Sequence, residues 1–236
     1  MSTEEFKSVA EILDRMKNIF ADIDGTFVLE PTWKIVMRRY GVEQADTLAL
    51  QKYISGLCTH DELLISTIET LQKVGATKSE IYSALQQLEQ VPGLQTLLTK
   101  INGNGIAVIS GGMYDCLHIH GIAKAFQEHH ITRFQYGEQE RITGYTLFNG
   151  GAQGKLETFE EVRIRRELSY NECAYFGDAG NDLLVAERVV KNGGVFVLVE
   201  ATHFGIQHST EKDSRRLREI ATVRVTNLED AIPYVQ

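Results

Sequence analysis

Two aspartates stand two residues apart in Asp22-Ile23-Asp24-Gly25-Thr26. In extended backbone that spacing puts both carboxylates on one side, where they can share a divalent cation or divide nucleophile and acid/base duties. The same residues are also good turn formers, so the pair alone leaves both readings open. Ser110-Gly111-Gly112 combines a hydroxyl with glycines that admit backbone N–H groups, ahead of a helical pattern. That is the chemistry of an anion site, and it is equally that of a plain strand-to-helix turn. Gly177-Asp178-Ala179-Gly180-Asn181-Asp182 brings two more acids and an amide, with Asn181 or Asp182 also suited to capping a helix. Lys155, preceded by Gly154, is an ordinary surface lysine or the fixed cation that such a set of acids requires.

The elements that must position these residues read as alternating strands and helices. Ile19-Phe20-Ala21 is a short apolar strand within Asn18 to Asp24, Ile106 to Ile109 another, and Ala174 to Phe176 a third. Gly194 to Val199 and Thr222 to Val225 read as further strands, and residues 131 to 148, with Gly137 and Gly144, as a hairpin or flap. Helices are expected over residues 3 to 16, from Leu94 to Asn102, Gly112 to His120, Glu157 to Leu168 and from Asn181. Short buried strands separated by helices imply right-handed βαβ units and a parallel sheet covered on both faces. Ligands of such sheets bind beyond the carboxyl ends of the strands, which is where all three acidic or glycine-rich turns fall. Negative charge collected there is self-repelling without a cation, which points to a metal.

Residues 30 to 91 differ, with helical patterns (Leu63, Leu64, Ile68, Leu71; Ile81, Leu85, Leu88) and no convincing strand before Pro92-Gly93. They read as a helical insert, dividing the chain into a core of residues 1–29 and 92–236 and a cap of residues 30–91.

Composition narrows the function classes. With 24 Lys plus Arg against 32 Asp plus Glu, the net charge of −8 lacks the basic footprint of a nucleic-acid reader. Apolar residues at 43% and charged residues at 24% fit an ordinary soluble globular protein. Apolar runs such as Val195 to Val199 fall far short of the roughly 20 residues that span a bilayer, so no membrane partner is expected. The acidic start Met1 to Glu5 is unlike a secretory signal, and Cys58, Cys116 and Cys173 are odd in number and widely spaced. Both favour a cytoplasmic address with reduced, buried thiols. His118/His120 and His129/His130 read as surface or packing residues rather than zinc ligands. Trp33, Tyr53 and Phe27 are candidates to line a pocket or to form the insert's own core.

Taken in order, Asp22-Ile23-Asp24-Gly25-Thr26, Ile109-Ser110-Gly111-Gly112, Lys155 and Gly177-Asp178-Ala179-Gly180-Asn181-Asp182 resemble the four motifs of the haloacid dehalogenase (HAD) superfamily. The phosphoserine phosphatase branch is the most similar. The resemblance implies a Rossmann-like α/β core with a type-1 helical cap inserted after the first strand. It makes Asp22 the nucleophile that becomes an aspartyl-phosphate, and Asp24 the general acid and then base. Ser110 and the Gly111 amide would hold phosphate oxygens, and Lys155 would pair with the phosphoryl group and Asp22. Mg²⁺ would bind Asp22, the Asp24 carbonyl and Asp178, with Asn181 and Asp182 supporting. The expected activity is Mg²⁺-dependent hydrolysis of a small phosphomonoester. Alternatives are phosphoserine phosphatase specifically, a phosphomutase or phosphotransferase, and, last, a non-catalytic binding module.

Asp24 favours phosphate chemistry, because dehalogenase members lack this second aspartate. Glu30 stands near the place of a cap glutamate that recognises the substrate's ammonium, about one residue early. No Lys or Arg occurs from His60 to Leu71, where an arginine would be expected. Phosphoserine is therefore the less favoured substrate.

Overall fold

A computed structural model describes residues 18–100, 105–201, 209–226, 228 and 230. The helix expected over residues 3 to 16 lies outside them. Among the described residues seven strands form one sheet: β1 (Asn18–Ala21), β2 (Gly105–Met113), β3 (Phe126–Tyr136), β4 (Ile142–Thr146), β5 (Cys173–Gly177), β6 (Val195–Val199) and β7 (Val223–Val225). Their order is β4-β3-β2-β1-β5-β6-β7, parallel throughout except for the antiparallel β3–β4 pair.

Side chains alternate between the two faces, as strand geometry demands. Ile19, Ala21, Ile106, Val108, Ala174 and Phe176 join one buried cluster. Phe20, Ala107, Ile109, Cys173 and Tyr175 join the other, with Phe159 and Val162 of α7 (Ala152–Arg165), Val185 and Val189 of α8 (Leu183–Lys191) and Leu217 of α9 (Glu211–Ile220). Phe20 meets Phe159 edge to face at 4.7 Å between ring centroids. Because both faces are covered, β5 and β6 are buried along their whole length and carry no polar alternation.

Between β1 and α5 (Leu94–Lys100) come four helices: α1 (Thr32–Arg39), α2 (Glu43–Ile54), α3 (His60–Lys73) and α4 (Lys78–Leu85). Helix α3 starts at a Thr59–Glu62 capping box, and Thr77 caps α4 through the Glu80 amide. The chain enters and leaves this block side by side, with Leu29 N donating to Glu89 O and Val91 N to Phe27 O, both at 2.9 Å. Val36, Leu64, Ile68 and Leu85 from these helices pack into the first cluster, continuous with the sheet. The β3–β4 hairpin reaches the same block, where Lys78 N donates to Glu140 O at 2.8 Å. Among the described residues no helix is long and apolar enough to cross a membrane.

Several boundaries differ from the sequence reading. The helix expected over Glu157 to Leu168 spans Ala152–Arg165, which puts Lys155 in its first turn. Strand β2 continues through Ser110-Gly111-Gly112 to Met113, so α6 (Tyr114–Ile119) starts two residues later than Gly112. Met113 pairs with Thr132 after a shift in register, and this partner, distant in sequence, extends the strand. Strand β3 likewise begins at Phe126, ahead of the hairpin, because its first half pairs with β2. Cys116 and Cys173 are buried thiols, whereas Cys58 is partly exposed.

Candidate active site

Strand β1 lies between β2 and β5, so the chain leaves it toward one side and later returns on the other. This is a topological switch point, and the crevice beyond its strand ends is the natural ligand site of the fold. Asp22 begins there, its N–H donating to Phe176 O at 3.0 Å. The three turns flagged in the sequence follow β1, β5 and the apolar part of β2, which are neighbours, and so they converge.

Asp22 is almost fully buried. Its Oδ1 accepts the Ile23 N–H at 2.7 Å, and its Oδ2 accepts from Lys155 Nζ at 2.7 Å. Lys155, in the first turn of α7 and fully buried, also donates to Asp182 Oδ1 at 2.7 Å. Burial alone would depress the lysine, but Asp182 and Asp22 outweigh it, and its pKa lies above the ordinary value. Asp182 is saturated. Its Oδ1 accepts a second bond from Tyr175 Oη at 2.7 Å, and its Oδ2 accepts the amides of Asp178 and Ala179 at 3.0 and 3.1 Å.

Asp24 is held differently. Thr32, the first residue of α1, donates its N–H to Oδ1 at 3.2 Å and its hydroxyl to Oδ2 at 3.1 Å. Burial, reinforced by Asp22, pushes the Asp24 pKa up to about 7. Asp24 is thus suited to give up and take back a proton near neutrality, the property of a general acid that later acts as base.

Asp22, Asp178 and Asp182 offer carboxylate oxygens within 4.8 Å of one another. Burial raises the pKa of Asp22, and burial with Asp182 and Asp22 raises that of Asp178 well above the usual carboxylate range. Among the described residues one buried lysine, Lys155, therefore serves an excess of buried acidic groups. Asp182 has its oxygens engaged by four donors, whereas Asp178 accepts only from Thr26 Oγ1, at 3.3 Å, among the described residues. Hard oxygen donors with uncompensated charge fit a divalent cation, which Asp22 and Asp178 could hold with Asp182 bracing the loop. Gly25 makes this approach possible: at φ +79° a β-carbon there would fall 2.0 Å from Asp178 Oδ2.

Ser110 is buried beside Asp22, and its Oγ accepts the Gly112 N–H at 3.1 Å. The Gly111 carbonyl accepts from Trp33 Nε1 at 2.8 Å. Asn181 Nδ2 donates to Gly150 O at 3.0 Å, and its Oδ1 is a buried acceptor with no partner among the described residues. These residues open onto a cavity of about 330 Å³, roofed by the helical block through Trp33, Leu50, Tyr53, Ile54, Leu63 and Leu64. Asp46 and Lys34 also line it, and burial pushes Asp46 up to about 6 despite Lys34.

The structure thus brings together Asp22, Asp24, Ser110, Gly111, Lys155, Asp178, Asn181 and Asp182. Glu30 is not among them: its carboxylate pairs with Arg38, and neither residue lines the cavity. Trp33 and Tyr53 line it, whereas Phe27 is buried and stacks on Phe126 at 5.9 Å. The four paired histidines stay apart from the aspartates, with His120, His129 and His130 bonded to Leu85 O, Ala123 O and Glu128. The sequence reading passed over Thr32, Tyr175 and His60. Only His60 carried a legible local signal, the Thr59-to-Glu62 capping pattern that sets it at the start of a helix.

No protein-family model matches the sequence, and no curated protein matches it. Solved structures do. A HAD family hydrolase from Salmonella enterica subsp. enterica serovar Typhi superposes with TM-score 0.75 at 18% identity, over 94% of this chain and 72% of that one. A phospho-aspartyl intermediate analogue of phosphoserine phosphatase gives TM-score 0.70 at 17% identity, over 94% and 99% of the two chains. A substrate-bound phosphoserine phosphatase complex gives 0.68 at 16%, over 94% and 99%. At these identities the likeness is one of fold, and the chain has the Rossmann-like α/β fold of these hydrolases.

Proposed function

We propose that the protein is a Mg²⁺-dependent phosphatase that hydrolyses a small phosphomonoester through an aspartyl-phosphate on Asp22. The observation that carries this reading is the buried contact of Asp22 with Lys155 at 2.7 Å, with Asp24 held alongside by Thr32. Residues 30–91 are read as a cap over a catalytic core of residues 1–29 and 92–236.

In this mechanism an Asp22 carboxylate oxygen attacks phosphorus as the bond to the alcohol oxygen breaks, and Asp24 donates its proton to that leaving oxygen. Asp24, now a carboxylate, takes a proton from water. The water oxygen attacks phosphorus, the bond to Asp22 breaks, and orthophosphate is released. Splitting the transfer in two gives each step a good nucleophile and a good leaving group. Ser110 and the Gly111 amide hold the non-bridging oxygens in line, and Lys155 lowers the repulsion between carboxylate and phosphate dianion. Mg²⁺, which Asp22 and Asp178 would hold, would supply further neutralisation of the charge gathered there.

The cavity supports a small substrate. Its volume suits a small metabolite, and its roof is aromatic and aliphatic. Among the described residues no arginine lines it, and Glu30 is paired with Arg38, so the cap glutamate and arginine expected for phosphoserine are not in the lining, where Lys34, Glu43 and Asp46 supply the charge instead. We read the substrate as a phosphomonoester other than phosphoserine. A screen of phosphometabolites read out as phosphate release, with and without EDTA, tests the function. Release with water as the only acceptor, abolished by EDTA, supports a hydrolase; transfer only to an added hydroxyl compound supports a transferase.

Metal binding has its own expected signature. Asp22, Asp24 and Asp178 have pKa values raised from 3.8, so each favours folding most when protonated. Their contribution is full below the unfolded value and is lost as pH rises through the folded one, near 7 for Asp24. Metal-free protein should therefore lose stability from pH 4 toward pH 8. Saturating Mg²⁺ should raise the melting temperature by roughly 5 °C at pH 8 and by much less at pH 5. An equal shift at both pH values in thermal melts would contradict the assignment.

A further inference from the structure

His60 is the first residue of α3, set by the Thr59–Glu62 capping box at the edge of the cavity. It is mostly buried, and its Nδ1 accepts the Gly150 N–H at 3.2 Å. An imidazole nitrogen that accepts carries no proton, so in the neutral ring the proton sits on Nε2. The ring is neutral: burial, with Lys155 nearby, lowers its pKa to about 4. Tyr53 packs edge-on against it at 5.5 Å, fixing its plane.

The protonated nitrogen faces the phosphate turn. Nε2 lies 3.0 Å from the place a β-carbon of Gly111 would occupy, so the glycine leaves room for the imidazole. Gly150 fits as tightly, since a β-carbon there would come 2.3 Å from Gly111 Cα. Among the described residues Nε2–H has no acceptor, although its ring lines the same cavity as Asp22, Asp24 and Ser110. A donor fixed in tautomer and plane, aimed along the turn that would hold phosphate oxygens, and left without a protein partner is complementary to an oxyanion.

We propose that His60 is a catalytic residue whose Nε2–H donates a hydrogen bond to a non-bridging oxygen of the phosphoryl group during transfer to and from Asp22. The proton stays on Nε2 throughout. A neutral imidazole is suited to this role because it adds a directed donor without adding a charge that would pair with Asp22 or repel the metal. The inference rests on the phosphatase reading and adds to it a donor from the helical block, so that residues 30–91 complete the site as well as roof it.

The test uses the full-length protein with Mg²⁺ and p-nitrophenyl phosphate, and compares His60→Ala and His60→Gln with wild type. Removing one oxyanion donor typically costs about 10² in kcat, and this is the loss expected for His60→Ala, with KM changed by less than about threefold. Inhibition by orthovanadate, which mimics the five-coordinate phosphorus, should weaken in parallel, while inhibition by inorganic phosphate should change little. His60→Gln keeps an amide N–H near the Nε2 position and should recover part of kcat. An active wild type with unchanged kcat and vanadate sensitivity in His60→Ala overturns this inference alone. So does a pair of variants that melt lower and lose kcat equally with vanadate sensitivity intact, because a packing role would act that way. A wild type that neither turns over nor binds vanadate overturns the phosphatase reading together with it.

Discussion

Asp22→Asn is expected to reduce phosphate release by roughly 10⁴-fold or more, the size of loss seen when an enzyme's nucleophile is removed. The amide has nearly the shape of the carboxylate but cannot form the acyl phosphate. It also cannot accept from Ile23 N and from Lys155 Nζ at once as Asp22 does, since only one of its two terminal atoms is an acceptor. The fold should survive, because the substitution removes one negative charge from a buried set that already has too many. Melting within a few degrees of wild type, measured beside the loss of turnover, separates lost chemistry from lost structure. Equal turnover by wild type and variant would overturn the aspartyl-phosphate mechanism.

Lys155→Met should damage both stability and activity. The ammonium is fully buried and bonded at 2.7 Å to Asp22 and to Asp182, and Asp182 in turn holds the amides of Asp178 and Ala179. Removing one partner of a buried ion pair leaves charge unpaired in low dielectric, at a cost of about 3–5 kcal/mol. For a chain of this length that corresponds to a melting temperature lower by roughly 10 °C. Added Mg²⁺ should recover part of the stability, by neutralising Asp22 and Asp178, and little of the turnover. A variant that melts with wild type would show that Lys155 is not the counter-ion of these aspartates. Lys155→Arg is no conservative control, because a planar guanidinium has different reach and geometry from a point-like ammonium.

Much of the catalytic constellation is legible before folding because its chemistry is encoded locally. Asp22, Ser110 and Asp178 each follow a short apolar run, and parallel sheets deliver such positions to one edge whatever the details of packing. Lys155 stands out less as a residue than as the charge the acids lack. Tyr175 was invisible for the opposite reason: it is one of five consecutive buried residues in β5, and nothing local separates a tyrosine that bonds Asp182 from one that only packs. Glu30 misled because proximity in sequence to the first motif says nothing of direction, and Arg38, one helix later, offers its carboxylate a nearer partner than the cavity does.

From its residues alone this protein is an α/β chain with acids and glycines at successive strand ends and a helical insert after the first strand. Those features depend on periodicity and on neighbours a few positions away, which the order of residues specifies directly. The extension of β2 to Met113, the saturation of Asp182 by four donors and the seating of His60 against Gly111 and Gly150 arise only on folding. Each depends on partners far apart in sequence, such as His60 with Gly150 and Tyr175 with Lys155, which share Asp182. Which side chain meets which across those distances is settled by close packing of the whole core, where burial makes every unpaired charge and donor costly.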